Sequence, residues 1–572
     1  MFAALASSGW APLLVALATG LAGPAQSQER SADAATAATE SANLPRLALR
    51  PEWIQQILLA EIALRRGQGS IGSSIYRELA GLTRDPRIAR RAMEIALHQR
   101  QPELALNMAR LWREIEPASA QARQAVIMLL SMTQRHDELT EFLAEALSAE
   151  GDGIRMALLH LPRIFSRQPD RVAVRALVDR VTEPYLQLGQ AHYARAVVAW
   201  QAGDAAAARA AVERALELAG DLEPAAMLRA EMTQPPVAAI DGLRAFVRNN
   251  PAAREARLLL ARLLVSEKFY GEARREFLAL LADAEDNAEM LNAVALLSLQ
   301  LKDHAEAEKQ FKRLIELGGD DADRARFYLG QIAEETRRFD DALTWYGRIG
   351  VGSQYLQARL RMASLLRQLN RLDEARALLR DSTAANRDER AQLLIGEAQL
   401  LRDAKQLAEA MAVLEAGLAD MPDHPELLYD AALLAERLGR VDLLERHLRR
   451  LIELKPDHAH AYNALGYSLA DRHLRLDEAH ALIDKALSLA PEDPFILDSK
   501  GWVLYRIGDL EGALRVLRDA YARRADPEIA AHLGEVLWQL GKHDEARKLW
   551  AEAIAAHPDN EVLIETQRRL SR

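Results

Sequence analysis

At one phase of this chain the residue is almost always alanine: Ala273, Ala307, Ala342, Ala375, Ala410, Leu444, Ala479, Ala513 and Ala546 follow one another at intervals of 33 to 35 residues. So long and constant a period belongs to stacked supersecondary units. A small residue once per unit points to two antiparallel helices whose backbones come close. A single hairpin of that kind cannot cover its own apolar stripe, so neighbouring hairpins must cover it, and stability becomes roughly a sum of nearest-neighbour terms. Length then stops being a guide to domain number, because an array of 572 residues grows without adding separate cores.

The last three units carry the pattern most fully. One reads Tyr462, Leu465-Gly466, Leu469, Ala479, Ala486 and Pro491, with one extra residue in the turn from Arg472 to Leu476. The next reads Lys500-Gly501, Leu504, Gly508, Ala513, Leu517 and Ala520, and the last reads Leu533-Gly534, Leu537, Gly541, Ala546, Trp550, Ala553 and Pro558. Ala546 and Ala553 share one helical face, and Gly534 lies on the partner helix, so the two backbones can approach. Gly508 and Gly541 fall where the first helix must stop and reverse, which favours a left-handed backbone. Pro422, Pro456, Pro491 and Pro558 follow the second helix and block its continuation. These slots resemble the tetratricopeptide-repeat family. The resemblance implies an all-α, right-handed superhelix, and chain length at about 34 residues per unit implies roughly 15 hairpins.

The rhythm loosens towards the N-terminus. Pro251 ends a unit containing Ala239 and Phe246; Gly203, Ala208 and Ala215 belong to another; Ala105, Ala109, Trp112 and Pro117 fit a third. Residues 44–250 are read as degenerate repeats, 251–560 as the regular array, and 561–572 as a polar-backed capping helix around Val562, Leu563 and Leu570. The stretch from Gly151 to Gln187 takes no clear phase. Hydrophobic residues make up 49% of the chain, with no long alternating segment, so no sheet domain is expected.

The first 27 residues carry no charge, Trp10 to Gly23 is apolar but short for a membrane span, and Ala25-Gln26-Ser27 places small residues at a cleavage position. Residues 1–27 are therefore read as a signal peptide for export, although no basic residue precedes Arg30, which leaves a retained anchor open. Residues 28–43, rich in Ala, Ser and Thr, are read as a disordered tether. The chain has no Cys and hence no acylation site for a lipoprotein-type lipid anchor. The 73 basic residues against 83 acidic ones give a net charge of −10, unlike the basic footprint of a nucleic-acid binder.

Motifs for chemistry are sparse. Gly67-Gln68-Gly69-Ser70-Ile71-Gly72 matches the glycine spacing of dinucleotide sites, but a helical segment precedes it, so a turn between helices is expected. His458 and His460, with His473 and His480 nearby, lack a third ligand at metal spacing and are expected on the surface. No phosphate loop, zinc-protease helix or nucleophile elbow occurs, so no catalytic residue, cofactor or metal is expected.

In the tetratricopeptide family the first helix of each repeat lines the concave face. Carrying that phase over places Asn463, Tyr467, Phe495, Asp498, Trp502, Tyr505, Glu528, Glu535 and Trp538 towards a protein-binding groove. Aromatic residues are only 5% of the chain, and Tyr or Trp on such a face can anchor a peptide or partner helix. Packing between repeats explains Trp502 and Trp538 equally well. The family's clamp for C-terminal carboxylates is not repeated across adjacent units, although Lys500 and Arg506 are basic.

A narrower resemblance rests on Thr83-Arg84-Asp85-Pro86 leading into Ile88 to Ala92, on Tyr462 to Tyr467, on Leu497 to Trp502 and on Glu528 to Trp538. These strings resemble proteobacterial envelope tetratricopeptide proteins of the LbcA-like type. That resemblance implies a periplasmic, non-enzymatic adaptor that brings a carboxyl-terminal processing protease together with cell-wall hydrolases. The chain departs from the lipoprotein members in lacking the acylated Cys. A scaffold for polysaccharide export or envelope assembly, and an enzyme without a recognisable motif, stay open beside it.

Overall fold

A computed structural model describes residues 50–148, 150–165 and 168–570. The signal-peptide and tether expectations, residues 1–43, lie outside the described residues, as do residues 44–49 of the array and the last two of the cap. Among the described residues there are 31 α-helices and no strand, following one another from Pro51–Arg65 to Glu561–Leu570 as 15 successive pairs and a final single helix. The chain is an α-solenoid. It divides into two compact units, one ending at Gln310 and one beginning at Phe311.

Within each hairpin the alanine phase has a fixed place. Ala273, Ala307, Ala342, Ala375, Ala410, Leu444, Ala479, Ala513 and Ala546 are each the fourth residue of the second helix, and none exposes more than 1% of its surface. Four residues later the same face carries Phe277, Phe311, Tyr346, Leu379, Leu414, Leu448, Ile483, Leu517 and Trp550, all buried. Twelve residues before that alanine position, or thirteen in the hairpin with the extra turn residue, where it is Gly466, the first helix supplies the small partner. In the last hairpin it is Gly534, where any Cβ would collide with the Trp550 indole. Close packing of this kind tolerates little change in volume at either position.

The turn inside most hairpins takes one left-handed residue. Gly508 (φ 94°) and Gly541 (φ 76°) supply it as the sequence predicts, but Lys268, Lys302, Arg337, Asn370, Lys405 and His473 occupy the same turn elsewhere with φ between 58° and 65°. The reason is the backbone bond that the geometry allows: Asp509 N donates to Leu504 O at 2.9 Å and Lys542 N to Leu537 O at 2.9 Å, closing the first helix. The extra residue between Arg472 and Leu476 adds a second left-handed position, Arg475 at φ 45°. After the second helices Pro422, Pro456, Pro491 and Pro558 stand where expected, two residues beyond the last helical residue.

The segment that takes no phase in the sequence is structurally irregular. A short 3₁₀ turn, Gly151–Gly153, precedes the Ile154–Ile164 helix, which holds Pro162 in its last turn. That helix packs more extensively against the Gly189–Gln201 helix than against its own partner, Arg171–Thr182. The apolar spacing therefore serves a neighbour and not the hairpin. The glycine-rich stretch at 67–72 is a turn only at Gly67 (φ 77°) and Gln68; Gly69 opens the next helix, and Gly72 lies within it against Leu64 and the Ala60 carbonyl. At the C-terminal end the Glu561–Leu570 helix seats Leu563, fully buried, on the last hairpin, with Val562 exposed. No described helix is long and apolar enough to cross a membrane.

Candidate functional site

Three first helices in the second unit, Ala459–Asp471, Pro494–Ile507 and Pro527–Gln539, touch in succession, and the terminal Glu561–Leu570 helix continues the row. Their starts are fixed locally. Asp493 accepts from Phe495 N (2.8 Å) and Ile496 N (3.2 Å), and Asp526 accepts from Glu528 N (2.9 Å), each beside a proline at the first helical position. His458 caps the first of the three, its Nδ1 accepting from Ala461 N at 3.0 Å. That ring is half-buried, and burial pulls it below the ordinary imidazole value. His458, expected as a surface residue, is thus a helix cap.

The residues expected in the groove are brought together on this row, but several form its floor. Asp498 (7% exposed), Trp502 (6%), His532 (9%) and Glu535 (5%) are buried. Both Asp498 carboxylate oxygens lie 2.9 and 3.0 Å from His532 Nδ1, and the Trp502 ring stacks on the imidazole at a centroid distance of 4.2 Å. Trp502 Nε1 donates to Asp471 on the preceding first helix (3.3 Å), and Tyr467 Oη meets His532 Nε2 at 3.4 Å. Further along, Tyr505 donates to Glu535 (3.1 Å), whose second oxygen accepts from Arg569 of the terminal helix at 2.6 Å. Arg506 donates to the Ala470 and Asp471 carbonyls (3.1 and 2.9 Å), closing the end of the preceding helix.

This floor is electrostatically committed. Burial alone would lower the His532 pKa, but the Asp498 charge and hydrogen bond outweigh it and hold the ring above its ordinary value. A charged imidazole between a carboxylate and an indole face is stabilised from both sides. Burial pushes the Tyr467 hydroxyl far up, with Asp471 and Asp498 adding to it, and pushes up Tyr505, with Glu535 adding to it. Trp502 and Asp498 therefore knit three successive repeats together.

What remains open is the upper layer. Phe495 is half-buried beneath the Arg524 guanidinium, 5.0 Å from its ring. Trp538 is half-buried and packed against its own hairpin, with His543 at 4.2 Å and Trp550 at 5.8 Å. Asn463 is half-buried with its amide oxygen lacking a hydrogen-bond partner. Glu528 lies at the rim, where crowding by the surrounding helices, and then the neighbouring Asp526 charge, raise its carboxyl above the usual range. Tyr467 and Tyr505 are half-buried between floor and rim. An aromatic layer over a fixed, charged floor suits binding of a protein surface.

The repeat slots single out neither His532 nor Arg569, the latter placed by the sequence only on the polar back of the capping helix. The signal for His532 is weak: with Gly534 in the slot of Gly501, His532 stands level with Ser499, one position past the Asp498 slot. Arg569 could not be paired with Glu535 until the seat of the cap was known.

Tetratricopeptide family models and a relative from Pseudomonas aeruginosa agree with this architecture. A tetratricopeptide-repeat family model matches residues 265–322, 295–349, 360–425, 429–494 and 499–561, and another of the same description matches 189–222. The tetratricopeptide repeat-containing protein PA4667 of Pseudomonas aeruginosa is 33% identical over 485 residues, covering 84% of this chain and 82% of that protein. Among solved structures, the tetratricopeptide protein TTC0263 of Thermus thermophilus is 24% identical over 32% of this chain and 96% of its own, with a TM-score of 0.29. A tetratricopeptide protein of Parabacteroides merdae is 16% identical over 50% of this chain and 99% of its own, with a TM-score of 0.33. With a relative 33% identical over 84% of its length, two tetratricopeptide models together matching more than half of it, and the alanine row buried at one place in hairpin after hairpin, the chain belongs to the tetratricopeptide-repeat family.

Proposed function

We propose that this chain is a non-enzymatic periplasmic scaffold that holds a carboxyl-terminal processing protease and its cell-wall hydrolase substrates together. The observation that carries the scaffold reading is a division of labour within each hairpin. The second helix repeats one buried row from Ala273 to Ala546, while the first helix changes its partly exposed side chains from repeat to repeat, with Asn463 and Tyr467 in one unit, Phe495 and Tyr505 in the next and Trp538 in the last. A constant spine with a variable face is what an array needs to recognise a particular partner without doing chemistry on it. Export is supported by the uncharged residues 1–27 and the small residues ahead of Gln28. The protease partner is supported by the resemblance of Tyr462–Tyr467 and Glu528–Trp538 to the LbcA-like envelope proteins. Holding enzyme and substrate on one array raises their effective concentration.

The test is an affinity pull-down from envelope extract with residues 28–572, read by mass spectrometry. Enrichment of a carboxyl-terminal processing protease with peptidoglycan hydrolases is the expected result. Recovery of glycan-export or assembly components without the protease would replace the adaptor reading with that of an envelope-assembly scaffold.

A further inference from the structure

The first unit carries a cleft away from the residues expected in the sequence. A cleft of ≈ 1140 Å³ runs over the first helices of three consecutive hairpins, Gly189–Gln201, Glu223–Met232 and Arg254–Ser266, which touch in succession. Its floor is apolar: Tyr193, Val197 and Trp200 come from the first helix, Met227 from the second, and Leu259 and Leu263 from the third, all half-buried. So much partly exposed apolar surface in one concave place marks a binding site.

The rim has a sign. Glu223, Glu231 and Glu255 line the cleft against a single guanidinium, that of Arg163. Two of the acids also shape it: Glu231 accepts from Trp200 Nε1 at 3.2 Å and so fixes the indole, and Glu223 accepts from Ala256 N at 2.7 Å and ties the second helix to the third. Glu255 is exposed in the first turn of the third helix. Glu223 and Glu231 each keep an oxygen for a ligand, and Glu255 keeps both.

We infer that this cleft holds a short extended segment of a protein partner that carries apolar side chains beside Lys or Arg. The inference rests on the protein-holding reading above and assigns it a place and a chemistry. Three packed helices at 8–10 Å spacing span about 20 Å, which about six extended residues cross. Apolar side chains reach Trp200, Met227 and Leu259, while basic ones meet the acidic rim. Three carboxylates to one guanidinium disfavour an acidic segment or a free C-terminal carboxylate.

Selection from a display library of random short peptides on the full chain tests it. Enriched sequences are expected to combine apolar residues with Lys or Arg, and to bind Met227→Glu at least tenfold more weakly. The paired change Glu231→Lys with Glu255→Lys, both at exposed positions, should turn the preference towards Asp and Glu. Circular dichroism and melting of each variant check the fold, with Leu259→Glu replacing Met227→Glu should that one melt early. An acidic consensus, an unchanged selection on these variants, or no enriched sequence overturns the assignment. If the cleft variants still capture the partners found in the pull-down, the scaffold reading stands and the cleft is removed from it.

Discussion

His532 and Asp498 stand one repeat apart and meet in the interior, Nδ1 lying 2.9 and 3.0 Å from the two carboxylate oxygens. The pair links the Pro494–Ile507 and Pro527–Gln539 helices through a charge contact that neither hairpin could make alone. Because the folded state holds the imidazole above its ordinary value of 6.5, it retains a proton that the unfolded chain loses. The stabilisation is complete below that value and disappears as pH rises through the folded pKa. Hydrogen exchange at Leu533 to Leu537 should therefore quicken as pH climbs above 6.5, after correction for intrinsic rates. Asp498→Asn leaves a buried charge without its partner, should cost about 3 kcal/mol, and should flatten that pH dependence. An unchanged pH profile in the variant would show that the pair does not set it.

Gly534 faces the Trp550 indole, and Gly534→Ala should destabilise the last hairpin by about 1–3 kcal/mol through overpacking. The same slots three hairpins earlier hold Ala432 and Leu448, both fully buried. Adding Trp550→Leu to Gly534→Ala should therefore recover part of the loss, a non-additivity expected only of side chains in contact. Urea unfolding of both single variants and the double variant measures it. Strict additivity would mean that the two positions are not coupled.

At the hairpin turns the backbone demands φ near 60–90°, not glycine as such, as Asn370 (φ 60°) demonstrates. Gly508→Asn should be nearly neutral, whereas Gly508→Val should cost about 1–2 kcal/mol because a branched side chain meets its own backbone there. Comparison of the two melting transitions decides the matter, and equal losses would show that the turn does not hold its left-handed form.

How much of this was legible beforehand follows from the range of each interaction. The alanine row, the reversal at Gly508 and Gly541 and the prolines after the second helices are local consequences of period and backbone chemistry, so they can be read directly. Lys268, Lys302 and Lys405 in left-handed turns are hidden, because composition reveals such a turn only when glycine or asparagine occupies it. The Ile154–Ile164 helix is hidden for another reason: its apolar face answers to the next hairpin. For the candidate site, the phase that placed nine residues on the first helices brought them to one row, but it could not tell floor from rim. Trp502 is covered by His532, a residue with no aromatic or small-residue signature of its own. The cleft over Trp200, Met227 and Leu259 lies in the weakly periodic half, where slot numbers could not be assigned from the sequence.

That distinction between floor and rim separates two effects of mutation. Trp502 is buried, stacked on His532 and bonded to Asp471, so Trp502→Ala removes a large side chain from a filled space and should cost about 3–5 kcal/mol. The loss should appear as early melting of the C-terminal repeats, with partner capture falling only because the surface is lost. Phe495 is half-buried under Arg524, and its removal takes away exposed apolar area without opening the floor. Phe495→Ala should leave the melting transition within about 1 kcal/mol of the parent and weaken capture by a partner that uses this row, where truncating an anchor costs on the order of 2 kcal/mol. Melting and pull-down yield measured on the same two variants distinguish the cases. If Trp502→Ala melts like the parent and yet loses its partner, Trp502 is an anchor after all and the floor lies deeper than these contacts place it.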